Sequence, residues 1–193
     1  MTALQALHAY DDSAMAEAIA ARTRNWLERA VIGLNLCPFA KAVHVKGQVR
    51  IAVSAASTPE ALLEELAQEL TLLDQSDPAV LATTLLVHPC VMQDFLDFND
   101  FLDAADAAVE SLGLDGVLQV ASFHPQYQFA GSRPDDIENY SNRAPFPILH
   151  LLREEDIDRA VEAFPDAESI FGANIKTLRG LGHAGWRALF DDG

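Results

Sequence analysis

The chain has 193 residues, 50% hydrophobic and 22% charged, with a formal net charge of -16 and a pI of about 4.5. That balance is ordinary for a soluble globular protein. It repels phosphate backbones and anionic lipids, which argues against nucleic-acid or membrane partners but leaves room for a small anionic molecule held by a local arginine cluster. No apolar run approaches the roughly 20 residues of a spanning helix, and Met1 to Asp12 lacks the basic start and apolar core of a signal peptide. A cytoplasmic single domain over 1–193 is therefore expected. Cys37 and Cys90 form no CxxC pair and are expected as free thiols.

Asp12 or Ser13 can cap a first helix running to about Leu34, with Met15, Ala18, Ile19, Trp26, Ala30 and Val31 on one face. Gly33 and Pro38 end it. A short strand follows at about 49–54. Thr58-Pro59-Glu60 then reads as a helix start, with threonine at the cap and proline at the first helical position, where its missing N–H costs nothing. That helix runs to about Leu73. A buried strand at 81–87 ends in His88-Pro89-Cys90. The next helix spans 94–112 and carries a stripe of Phe95, Phe98, Leu102, Ala105, Val109 and Leu112. A strand at 117–123 ends in His124-Pro125. A long loop leads to a strand at 148–152, and helices at about 155–164 and 169–181, with a last turn near Trp186, close the chain.

This order predicts an α/β (or α+β) fold: a small mixed sheet of about four strands packed with helices, an N-terminal helix and a helical C-terminus. A two-layer sandwich and a three-layer domain both fit. The long loop joins consecutive strands, which suits an antiparallel pair. If the strands ending at Val87 and Phe123 are parallel, His88 and His124 share the carboxyl edge of the sheet, where open α/β sheets bind ligands. A residue before proline is held extended, so each His-Pro is also readable as a strand stop, the reading favoured for His88, while for His124, beside Tyr127 and Arg133, the two readings stand level.

Phe123 to Arg153 holds two histidines, two tyrosines, two asparagines and four prolines, more than a plain connection needs. His124 and His150 flank the loop as candidate acid–base groups, and Cys37 is a candidate nucleophile. A helix C-terminus is the wrong end to lower a thiol pKa, so Cys37 would need Lys41 or a histidine beside it. His124 and His150, with Cys37 or His88, could make a three-ligand site for zinc or another divalent metal, although no HxxxH or HxH spacing marks it. Arg143, with Asn142 and Tyr127, is a candidate contact for a carboxylate or phosphate. Arg143 could instead tie the loop down through Asp135, Asp136 or Glu138, and Arg153 could pair with Glu154 or Glu155. Asp94, Asp97, Asp100, Asp103 and Asp106 recur every third residue. Each step drifts by roughly 60° around a helix, so they wrap a solvent face and do not converge on a metal. Walker, GxGxxG, GxSxG and HExxH motifs are absent.

Three segments, Leu34 to Lys41 (LNLCPFAK), Phe123 to Gly131 (FHPQYQFAG) and Asn142 to Arg153 (NRAPFPILHLLR), together resemble a bacterial family, the domain-of-unknown-function family 1415. The resemblance extends over nearly the whole chain, and it implies no activity and no residue roles. Two functions follow as expectations. One is a small-molecule enzyme whose His/Arg/Cys pocket lies under the 124–147 loop and acts on an anionic substrate. The other is a non-catalytic binding domain that presents the loop aromatics Tyr127, Phe129, Tyr140 and Phe146.

Overall fold

The computed structural model of the chain describes residues 3–163 and 167–191. The first helix, α1, spans Ala3–Trp26 and widens into a π turn over Leu27–Ile32. Its backbone is helical ahead of Asp12 and Ser13, so neither stands at a helix start. The π turn directs Leu27, Ala30 and Val31 inward. The chain then reverses through Asn35, whose φ of 54° lies in the left-handed region that asparagine tolerates. A short helix that sequence periodicity does not announce, α2, covers Ala40–Val45.

β1 (Val49–Val53) leads to α3 (Pro59–Gln75), and the Thr58 hydroxyl accepts the Ala61 N–H at 3.2 Å as the cap. β2 (Thr83–Val87) leads to α4 (Phe95–Ser111). Asp94 caps α4 by accepting the N–H groups of Leu96 at 2.8 Å and Asp97 at 3.3 Å. The five aspartates of this segment are all exposed. β3 (Leu118–Phe123) enters the long loop, which contains a 3-10 turn at Ile137–Ser141 and ends at β4 (Ile148–Arg153). α5 (Glu154–Ala163) follows directly; Phe164, expected as its end, lies outside the described residues. α6 (Ala167–Ala188) breaks at Gly182, where φ of 65° requires a residue without a side chain.

The fold is α/β. The sheet order is β1-β2-β4-β3, with β1 parallel to β2 and β4 antiparallel to both β2 and β3. Three strands thus point one way, and β4 is inserted between β2 and β3 in the opposite sense. Helices cover both faces, as in the three-layer alternative. On one face Leu62, Leu66, Leu70 and Leu73 of α3 and Phe98, Phe101, Ala105 and Val109 of α4 pack on Leu86, Leu118, Leu149 and Leu151. On the other, Trp26, Leu27, Ala30 and Val31 pack on Leu85, Val87 and Ile148, joined by Trp186, Leu189 and Phe190. No helix among the described residues is long and apolar enough to cross a membrane.

Candidate functional site

β2 and β3 do end at one edge, and β4 begins between them. His88 and His124 therefore sit side by side at that edge. Each follows a residue facing the α1 side (Val87, Phe123), so each turns toward α4. Both rings pack on Phe98, at centroid distances of 5.4 and 5.2 Å. Both grip the turn that leads into α4. The His88 Nδ1–H donates to the Val91 carbonyl at 3.1 Å. His124 accepts the Gln126 N–H on Nδ1 at 3.0 Å, which leaves its Nε2–H to donate to the Met92 carbonyl at 3.2 Å. Met92 carries a φ of 57°, an uncommon value for a methionine that this bond helps to hold. Burial pushes the His88 pKa down to about 4 against the opposing Val91 bond. It lowers that of His124 in the same sense, with the Met92 bond opposing. Both His-Pro strand ends thus clamp one connection.

His150 lies on the opposite face. It shares that face with Ile148 and Leu152, as strand alternation requires, and its ring centroid is 5.8 Å from that of Phe123. The Thr83 hydroxyl donates to the Leu151 carbonyl at 2.6 Å, so its oxygen accepts the His150 Nε2–H at 2.8 Å. The other ring nitrogen, Nδ1, has no hydrogen-bond partner among the described residues, yet it is not sealed from solvent. The reason is a cavity of about 360 Å³ that the ring lines. Trp26, Leu27 and Val31 form one wall, Phe39, Ala40 and Val43 another, and Leu85, Ala121 and Phe123 the sheet floor. The small side chain of Ala121 leaves room above the sheet floor beside His150. Cys37 lines this cavity as well, with Gln119 and Asp156 among its few polar neighbours. Burial alone pushes the His150 pKa down to about 4, so the ring is neutral at pH 7. Cys37 and His150 are thus brought to one cavity, although no hydrogen bond joins them. His124 and His88 are not. Among the described residues no three His, Cys, Asp or Glu side chains converge as metal ligands, and Cys37 and Cys90 are both free thiols.

The remaining loop candidates hold the loop itself. Arg143 donates from Nε to the Tyr127 carbonyl at 3.2 Å and from Nη2 to that of Pro134, with its guanidinium carbon 4.4 Å from the Tyr140 ring centroid. It does not pair with the loop acids. Asp136 is taken by Arg133 and Glu138 by Arg179. Asn142 gives its carbonyl to the His124 N–H at 3.2 Å, and Tyr127 packs on Phe95 and Phe129. Asn139, which sequence reading passes over, is the fully buried hub. Its Oδ1 accepts the Phe129 N–H at 3.0 Å and the Ser132 hydroxyl at 2.8 Å, and its Nδ2 donates to the Arg133 carbonyl at 2.8 Å. Trp26 Nε1–H closes the loop onto α1 by donating to the Arg143 carbonyl at 2.8 Å.

Comparison with curated proteins and with solved structures yields no match. A family profile matches residues 18–188, a span that contains β1 to β4, the 124–147 loop and every residue of the His150 cavity. The chain therefore belongs to the family described as Protein of unknown function (DUF1415).

Proposed function

We propose that the chain binds a small molecule with an apolar body and one hydrogen-bond donor in the His150 cavity. The observation that carries this reading is the half-used imidazole. Thr83 fixes the tautomer, and Nδ1 is left as an acceptor in a mostly apolar cavity. A volume of about 360 Å³ suits a compact ligand, and convergent polar groups on apolar walls are the usual anatomy of a ligand site. A neutral ring with its pKa near 4 is a poor proton acceptor at pH 7, and the Cys37 thiol has no hydrogen bond from it. Both points favour binding over the acid–base or nucleophilic chemistry that the residue types suggest. The loop aromatics support a recognition surface less well, because Tyr127, Phe129 and Tyr140 are half-buried against other rings.

1-Naphthol and 1-methoxynaphthalene share an apolar body and differ by the O–H donor. The naphthol is expected to bind about tenfold more tightly, the worth of one net hydrogen bond. His150→Leu should erase that preference, and Ala121→Phe, which fills the sheet floor, should abolish binding of both. Equal affinities for the two probes, or unchanged binding by Ala121→Phe, would sink the proposal.

A further inference from the structure

A second cavity, of about 440 Å³, lies on the other side of Trp26, between α1, the loop and α6. Arg22, Arg143 and Asn25 are its charged and amide-bearing lining residues. Neither arginine pairs with an acid among the described residues. Arg22 makes no hydrogen bond or ion pair among the described residues and packs its guanidinium 5.3 Å from the Phe146 ring centroid. Arg143 spends its donors on backbone carbonyls, which are neutral. No aspartate or glutamate is among the described lining residues. In a chain of net charge -16, two arginines lining one cavity with no acid among its described lining residues run against the composition, and a low-dielectric wall concentrates their field. That wall is aromatic. Tyr140 and Trp186 meet edge-on at 5.1 Å, Trp186 and Phe190 at 5.7 Å, and Trp26 closes the far side.

We propose that this cavity is a second binding site, separate from the His150 cavity, and that it takes a small aromatic oxyanion, a carboxylate or phosphate ester on a ring. The ring would lie against Tyr140 and Trp186, and the charged oxygens would face Arg22, Arg143 and Asn25. Arg143 is suited to the task because its carbonyl bonds and its stacking on Tyr140 hold the guanidinium in place before a ligand arrives. Arg22 is the adjustable partner, exposed and on a helix. The aromatic walls select the organic body, and the missing carboxylates remove the repulsion that the rest of the surface would impose.

Trp186 lines this cavity and not the His150 cavity, whereas Trp26 lines both, so fluorescence reports occupancy here once Ala121→Phe has closed the other cavity. The probes are benzoate, phenyl phosphate and the neutral benzyl alcohol. Both anions are expected to bind at least about tenfold more tightly than the alcohol, and to weaken as sodium chloride rises from roughly 0.05 to 0.5 M. Benzoate without phenyl phosphate would assign the site to carboxylates, and the reverse to phosphate esters. Arg22→Met, which removes no hydrogen bond among the described residues, is expected to weaken the anions about fivefold or more while leaving the alcohol unchanged. Ala121→Phe is expected to leave the anions unaffected, which separates this site from the His150 cavity. Equal affinity for benzyl alcohol, no change in Arg22→Met, or loss of benzoate in Ala121→Phe would each overturn the proposal.

Discussion

Between pH 6.5 and about 4 the folded chain is expected to lose several kcal/mol of stability, before most of its carboxylates titrate. The cause is His88 and His150, whose burial holds both rings about 2.5 pH units below the ordinary value of 6.5. Above pH 6.5 both are neutral whether the chain is folded or not, and their contribution to stability is fully present. As the pH falls toward about 4, the unfolded chain takes up two protons that the folded chain refuses, and the equilibrium shifts toward unfolding. The His88 ring is worth up to about 3 kcal/mol by that linkage, and His150, whose Nδ1 opens on a cavity, contributes less. His124, displaced in the same direction, adds to the slope. One effect opposes it: acidification removes part of the net charge of -16 and relieves self-repulsion. Sodium chloride at about 0.3 M screens that repulsion between exposed groups and leaves the buried rings untouched. Urea titrations from pH 7.5 to 4.5 in that salt should show the fall in the natural chain and a clearly shallower one, left to His124, in His88→Asn/His150→Gln. In that variant an amide nitrogen replaces each donating ring nitrogen, toward Val91 and toward Thr83. Equal slopes in the two proteins would remove buried histidine as the cause.

Arg153→Met is expected to destabilise by about 3 kcal/mol, a fall in Tm of about 6 to 12 °C for a chain of this size. Arg153 closes β4 and crosses the α3 face, where Nη2 donates to the carbonyls of Leu73 at 2.5 Å, Ser76 at 2.9 Å and Leu81 at 3.3 Å. The last turn of α3 and the start of the path to β2 are thereby satisfied by one cation at the negative end of a helix dipole. The pairing with Glu154 or Glu155 that adjacency suggests is not made. With only 9% of its surface exposed, Arg153 shields these carbonyls from water, and methionine keeps the packing while leaving them without a donor. Arg153→Lys, with a single donating nitrogen, should lie about midway. A methionine variant within about 1 kcal/mol of the natural chain would show that water replaces the guanidinium there.

The elements were legible where their signals are local. Thr58-Pro59 and Asp94 announce α3 and α4 through caps that form as written, because a cap needs only residues within a turn of one another. The antiparallel β3–β4 pair follows from a single loop. The insertion of β4 between β2 and β3 does not, because that choice is made by two faces packing at once. His150 and Cys37 were legible as candidates for one site because both lie on or beside apolar elements that face α1. His124 looks free in sequence because its partners are backbone groups of Met92 and Gln126, which carry no sequence signature. Arg143 misleads for the same reason: acids stand close by in sequence, yet carbonyls take its donors. The cavity itself had a faint signal, the alanine at 121 in an otherwise bulkier strand. Its meaning depends on where the π turn after α1 leaves the sheet uncovered.

The claim that the His150 cavity binds the apolar hydrogen-bond donor, and that the His88–His124 cluster does not, is tested most directly by nuclear magnetic resonance. The imidazole C–H signals of all six histidines and the backbone amides would be followed while 1-naphthol is added. The account predicts that the largest changes fall on the His150 ring, the Thr83 and Ala121 amides and the Trp26 indole N–H, with His88 and His124 unmoved. Changes centred on His124, Met92 and Tyr127, with a silent His150 ring, would contradict it.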